Sequence, residues 1–261
     1  MAELLFWPAL LFYGEAVLGY VGEARQPGAA GRAAIWGVRL GWLAQTALLA
    51  VQAAREDGFP WGTWAGSLNL FVWLVVATYL FWGSRRAYRL LGLTVMPLAA
   101  ALLVVARAGG GTGIGEQSRY SNLFLVVHVG LVLLAFAGLT LAACLSALYL
   151  WQERRLKRRA ATILCRPVPA LVTLDRLVLR IVSVSLPLLT VGIGVGLGRL
   201  LARGDAVDAL VVATLVTWVA WAAYLVLRLR GVAGRRAAYV ALAGFLLVIV
   251  VRLALPAAHF A

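Results

Sequence analysis

Charge, cysteine and histidine are all scarce in this chain, and each shortage removes a class of explanation. Charged residues are 13% of the 261 positions and hydrophobic ones 63%, more apolar material than a soluble domain of this length buries. Cys144 and Cys165 are the only cysteines and show no Cys-x-x-Cys spacing. A disulfide framework or thiol relay is therefore not expected, and both read as small hydrophobes. Acidic residues number 10 against 24 basic ones. In a soluble protein that excess would suggest nucleic acid, but here the basic residues cluster between apolar runs, so topology explains them and no nucleic-acid partner is expected. The two-residue alternation of an outer-membrane barrel is missing. No basic stretch precedes the first apolar run, where Glu3 is the only charge, and no small-residue cleavage site follows it. That run is expected to be retained as a helix. No internal repeat and no soluble domain stand out.

What is present is a series of eight apolar runs, each about long enough to cross a hydrocarbon core of roughly 30 Å as a helix. They lie near 4–21, 34–53, 64–82, 90–106, 122–150, 178–201, 207–227 and 237–255. The expectation is an all-α, polytopic membrane helical bundle of about eight transmembrane helices, forming a single transmembrane domain over residues 1–261. Basic charge alternates between loops. Arg85, Arg86 and Arg89, then Arg154 to Arg159, then Arg228, Arg230, Arg235 and Arg236 follow the third, fifth and seventh runs. The positive-inside rule makes those connections cytoplasmic and leaves both termini outside, in a multi-pass protein of the cytoplasmic membrane. Gly109, Gly110, Gly111, Gly113 and Gly115 predict a mobile external segment between Arg107 and Ser121. The basic connection from Gln152 to Asp175 is expected to lie against anionic lipid headgroups.

Imidazole chemistry must use His128 or His259, the only histidines. His128 lies six residues, roughly 9 Å, into the fifth span from its outer end. His259 lies just beyond the outer end of the eighth, so the two share nearly one level. Two neutral imidazoles on opposite sides of a porphyrin iron give a six-coordinate haem, and the levels permit that. The plainer alternative is that His128 hydrogen-bonds a neighbouring helix and His259 is a tail residue. No Cys, Asp or Glu completes a zinc site. Ser183 and Ser185 have no base partner, so no catalytic residue is assigned. Glu15 and Arg39 fall toward the cytoplasmic part of the adjacent spans one and two and suggest an ion pair; with Gln45 and Asn69 they could instead line a transport path. Arg199 and Arg252 approach outer span ends, where they could snorkel or bind an acid. Gly192, Gly194, Gly196 and Gly198 permit close approach to span six. Trp42, Trp73 and Trp218 read as interior, other tryptophans as interfacial belt residues.

Several separated segments resemble the cytochrome c assembly family in its CcsA and HemX branch. Gly41-Trp42-Leu43-Ala44-Gln45-Thr46 is similar to that branch's second-span pattern, and Phe59-Pro60 through Trp73 to its entry into span three. Leu125-Val126-Val127-His128-Val129, closing at Tyr149-Leu150-Trp151-Gln152-Glu153, resembles the histidine-bearing helix. Leu186-Pro187-Leu188-Leu189-Thr190-Val191-Gly192 resembles the segment after it. The resemblance implies that His128 and His259 are axial ligands to haem b at the outer face. Arg119, Arg199 and Arg252 are candidate propionate contacts.

The family's Trp-rich external loop with its Trp-Asp-Pro run is missing: Arg203-Gly204-Asp205-Ala206-Val207-Asp208 stands before span seven. An acidic residue expected near Gly66 is missing too. The resemblance therefore implies a HemX-like relative that presents or exports haem in cytochrome c biogenesis, rather than a synthase that attaches it. The alternative it implies is a HemX-like membrane regulator of tetrapyrrole biosynthesis acting on a cytosolic enzyme. Expected partners are haem, membrane lipid, and a cytochrome c assembly protein or that cytosolic haem-biosynthesis enzyme.

Overall fold

The apolar runs become helices, as backbone groups in hydrocarbon require when no sheet edge can close. The computed structural model describes residues 2–25, 28–55, 63–82, 91–112, 122–157, 170–203 and 209–254. Among the described residues the elements are α1 (Ala2–Arg25), α2 (Ala29–Arg55), α3 (Trp64–Trp82), α4 (Gly92–Ala108), α5 (Asn122–Lys157), α6 (Leu171–Arg203), α7 (Ala209–Leu229) and α8 (Arg235–Ala254), with no strand. Six of them are long and apolar enough to cross a membrane, and α4 is a shorter apolar helix. The protein is a multi-pass helical membrane bundle, as expected.

The helices fall into two compact units. The first holds α1–α4 with the C-terminal end of α5, the second holds the rest of α5 with α6–α8. In the first, α1 packs on α2 and α4, and α3 packs on the same two helices. Small residues bring α1 and α2 close. A Cβ on Gly19 would meet Ala34 Cβ at 2.9 Å and Ala30 O at 3.0 Å, and one on Gly37 would meet Phe12 O at 3.0 Å. Such contacts replace the hydrophobic drive that lipid cannot supply.

The interior of this unit is polar at its centre. Tyr13 donates its hydroxyl to Gln45 Oε1 at 2.7 Å, and Gln45 Nε2 donates to Asn69 Oδ1 at 2.9 Å and Asn69 O at 3.0 Å. Asn69 Nδ2 and Gln52 Nε2 both donate to Gly111 O, at 3.3 and 3.2 Å. Tyr13, Gln45, Gln52 and Asn69 are fully buried. Beside them Trp42 stacks on Trp73 with centroids 5.1 Å apart, and Trp73 Nε1 donates to Thr46 Oγ1 at 2.7 Å.

Three sequence expectations change. The glycine-rich stretch begins as a folded cap: Gly110 N–H donates to Arg107 O and Gly111 N–H to Ala106 O, with Gly110 at φ +82°. This is a Schellman turn, and Gly111 is buried where a Cβ would collide with Ala65 O. The rest of that stretch, Gly113 to Ser121, lies outside the described residues. Next, Arg154, Arg155 and Lys157 belong to the last turn of α5 rather than to a loop. Good helix formers, the Glu153–Lys157 pair at 2.8 Å and the dipole's preference for cations at a C-terminus carry the helix past the apolar segment. Finally, Glu15 and Arg39 are both exposed, and the Arg39 guanidinium lies 5.1 Å from the Trp36 ring centroid instead of on Glu15. With Gln45 and Asn69 buried and these two outward, the four line no common path.

Candidate functional site

In the second unit, glycines set how closely α5 and α6 approach. A Cβ on Gly138 would collide with Ser185 Oγ, one on Gly192 would meet Val132 Cγ2 at 2.8 Å, and one on Gly196 would strike the His128 ring. Reading α5 forward runs α6 backward, so the helices are antiparallel and their register is set at three levels. Gly194 and Gly198 meet nothing within 4 Å. The alternating glycines thus divide by face, one pair against α5 and the other bare.

His128 is half-buried at the last of these contacts. Its Nδ1 lies 2.8 Å from Gly192 O. A carbonyl only accepts, so Nδ1 carries the proton and donates. In the neutral ring the lone pair then resides on Nε2, which is the arrangement in which histidine ligates a metal while a backbone carbonyl holds the opposite nitrogen. The missing side chain of Gly196 gives the ring its place. Arg199, half-buried, follows Gly196 by one turn on nearly the same face of α6. The structure therefore brings His128 and Arg199 to one end of the α5–α6 pair. Arg119 and His259 lie outside the described residues, and Arg252 is on α8 with its side chain outside them. No group of three or more His, Cys, Asp or Glu able to hold a metal ion occurs among the described residues.

At the other end of the same unit is a locus the sequence did not reveal. Arg228 donates Nη1 to Asp175 Oδ1 at 3.0 Å and Nη2 to Asp175 Oδ2 at 2.8 Å, a bidentate pair between α7 and α6. The N–H of Gly234, at φ +64°, donates to Asp175 Oδ1 at 3.2 Å, and Arg228 Nη1 also donates to Val232 O at 3.1 Å. Ser146, Tyr149, Asp175 and Tyr224 line a small cavity there. Trp221, rather than Trp218, is the buried tryptophan of this unit, edge-on to Tyr224 at 5.8 Å. The signal lay in Asp175 and Arg228, opposite charges at the ends of two apolar runs. Distance along the chain hid their pairing.

Comparison with known proteins gives a consistent picture. A family model described as Cytochrome C assembly protein matches residues 61–256. The chain is 28% identical to Protein HemX of Brevibacillus brevis over 60% of its own length and 58% of that protein. The match thus spans less than two thirds of that relative. It is 26% identical to Cytochrome c biogenesis protein CcsA of Microcystis aeruginosa, over 81% of this chain and 80% of that one. It is 29% identical to an uncharacterized 28.8 kDa protein of Azospirillum brasilense, over 89% and 87%. No solved structure matches significantly.

Proposed function

The chain belongs to the cytochrome c assembly protein family, and from that premise we propose that it serves cytochrome c biogenesis by holding haem b near the outer face of the cytoplasmic membrane, for presentation or export. His128 and His259 are the axial ligands in this reading. Arg119, Arg199 and Arg252 neutralise propionates. The observation that supports it is the contact of His128 Nδ1 with Gly192 O, which orients the ring and puts the proton on Nδ1, the tautomer a metal-ligating histidine adopts. When bound, haem would supply an iron that takes imidazole nitrogen as a ligand. This chain's own residues supply orientation and charge. His128 is fixed by main chain and seated over a glycine, and Arg199 stands one turn away.

The test is absorption spectroscopy of protein purified in mild detergent after haem supplementation. The expected result is a Soret band with low-spin features that His128→Ala abolishes and His259→Ala converts to a high-spin spectrum. A missing band, or one indifferent to His128→Ala, overturns the reading.

A second reading is regulation of tetrapyrrole synthesis through a cytosolic enzyme. The observation in its favour is the end of α5, which presents Arg154 and Lys157 as exposed charges on an ordered helix. Neutralising Arg154, Arg155 and Lys157 changes the abundance of that enzyme if this reading holds, while both histidine substitutions leave it unaltered.

A further inference from the structure

Glu15 and Arg39 stand out because the fold leaves two opposite charges exposed within apolar spans. The α1 and α2 spans run Leu4–Ala24 and Ala29–Ala54 and are joined by a short connection. Glu15 is nine residues from the near end of its span and Arg39 ten from the near end of its own, roughly 14 and 15 Å at 1.5 Å per residue. Packing confirms the common level: a Cβ on Gly37 would contact Ala16, and one on Gly41 would contact Tyr13. Both charges therefore lie inside the apolar spans, at one level of neighbouring helices.

Both are exposed. No hydrogen bond or ion pair reaches Glu15 among the described residues, and Arg39 is engaged only by the Trp36 ring. Around them the surface is apolar, with Leu11, Leu18, Trp36 and Leu43 each more than half exposed. Charges in membrane spans face a partner or a water-filled cavity, because lipid tails offer an ion nothing.

We propose that this α1–α2 face binds a second copy of the chain, with Glu15 of each copy paired to Arg39 of the other. The argument for a second copy is symmetry. Two copies inserted with the same topology are related by an axis along the membrane normal, which preserves depth and exchanges left for right. An exposed acid and an exposed base at one level of adjacent helices are self-complementary under that operation where both turn toward the partner. Trp36 lies beside Arg39 and becomes part of the contact. The inference does not depend on haem.

The test uses the full chain in detergent and in liposomes, with mass by light scattering and copy number by single-molecule photobleaching. Wild type is expected to be a dimer, and Glu15→Arg or Arg39→Glu to weaken self-association by about tenfold or more. The double reversal E15R/R39E restores it. Mixing the two single variants gives the sharpest reading, since one then offers two bases, the other two acids, and a heterodimer forms at the expense of either homodimer. That outcome also shows that each single variant folds. A monomeric wild type, a dimer indifferent to both single reversals, or single variants that fail to pair with each other overturns the proposal.

Discussion

At the scale of single residues, the second unit contains a carboxylate that serves three elements at once. Asp175 on α6 accepts from both Nη atoms of Arg228 on α7 and from the Gly234 N–H at the entry to α8. The Arg228 side chain is 8% exposed and that of Asp175 18%. Removing one member of such a pair costs far more than the pair contributes, because the remaining charge is left without its counter-ion. Asp175→Ala is expected to destabilise the unit by about 3 kcal/mol. Asp175→Asn, which keeps an acceptor for Gly234, should cost less. Unfolding in detergent measured by loss of helical signal checks the order. A smaller effect for the alanine variant would show that Arg228 finds water instead. Residues of this kind were poorly legible in the sequence. His128 and Arg199 could be placed by counting along helices, whereas Asp175 and Arg228 are separated by more than fifty positions and meet only once the chain has folded. Gln45 and Asn69 were visible as polar residues in apolar runs, yet their partners Tyr13 and Gln52 were not, because composition does not say which way a side chain points.

At the scale of helices, glycine placement decides which faces touch. The α1–α2 pair relies on close backbone approach at Gly37, where an added side chain runs into the carbonyl of Phe12. Gly14, in the middle of the same packed pair, meets nothing within 4 Å. Gly37→Val is therefore expected to lower the midpoint of thermal unfolding by several degrees, while Gly14→Val leaves it nearly unchanged. Equal effects would mean that backbone propensity, not packing, sets the response. Helix existence was the most legible property of the chain, since eight apolar runs predicted eight helices. Helix ends were less so. Hydropathy reports where lipid stops, but α5 is held by its own hydrogen bonds and continues through Trp151 to Lys157. The cap after α4 escaped for the opposite reason: several glycines in a row look like slack chain, yet one of them at positive φ makes a Schellman turn.

At the scale of the whole molecule, the asymmetry of basic charge predicts an orientation that puts the His128 end of α5–α6 outside. In a variant whose own two cysteines are replaced, a cysteine at Gly113 is expected to react with an impermeant thiol reagent on intact cells. One at Ser84 should react only after the membrane is opened. The reverse pattern inverts the topology. Family membership was legible in short separated segments such as Leu125 to Val129, and the family model matches residues 61–256. The contact between His128 and Gly192 O has a further use here. It joins two of the three levels that hold α5 against α6, and a slip by one turn would present the ring with a different carbonyl or none. The nitrogen-15 signature of a protonated Nδ1 at His128 is therefore a reporter of helix register. One imidazole measures, in a native membrane, whether two long helices are correctly seated against each other.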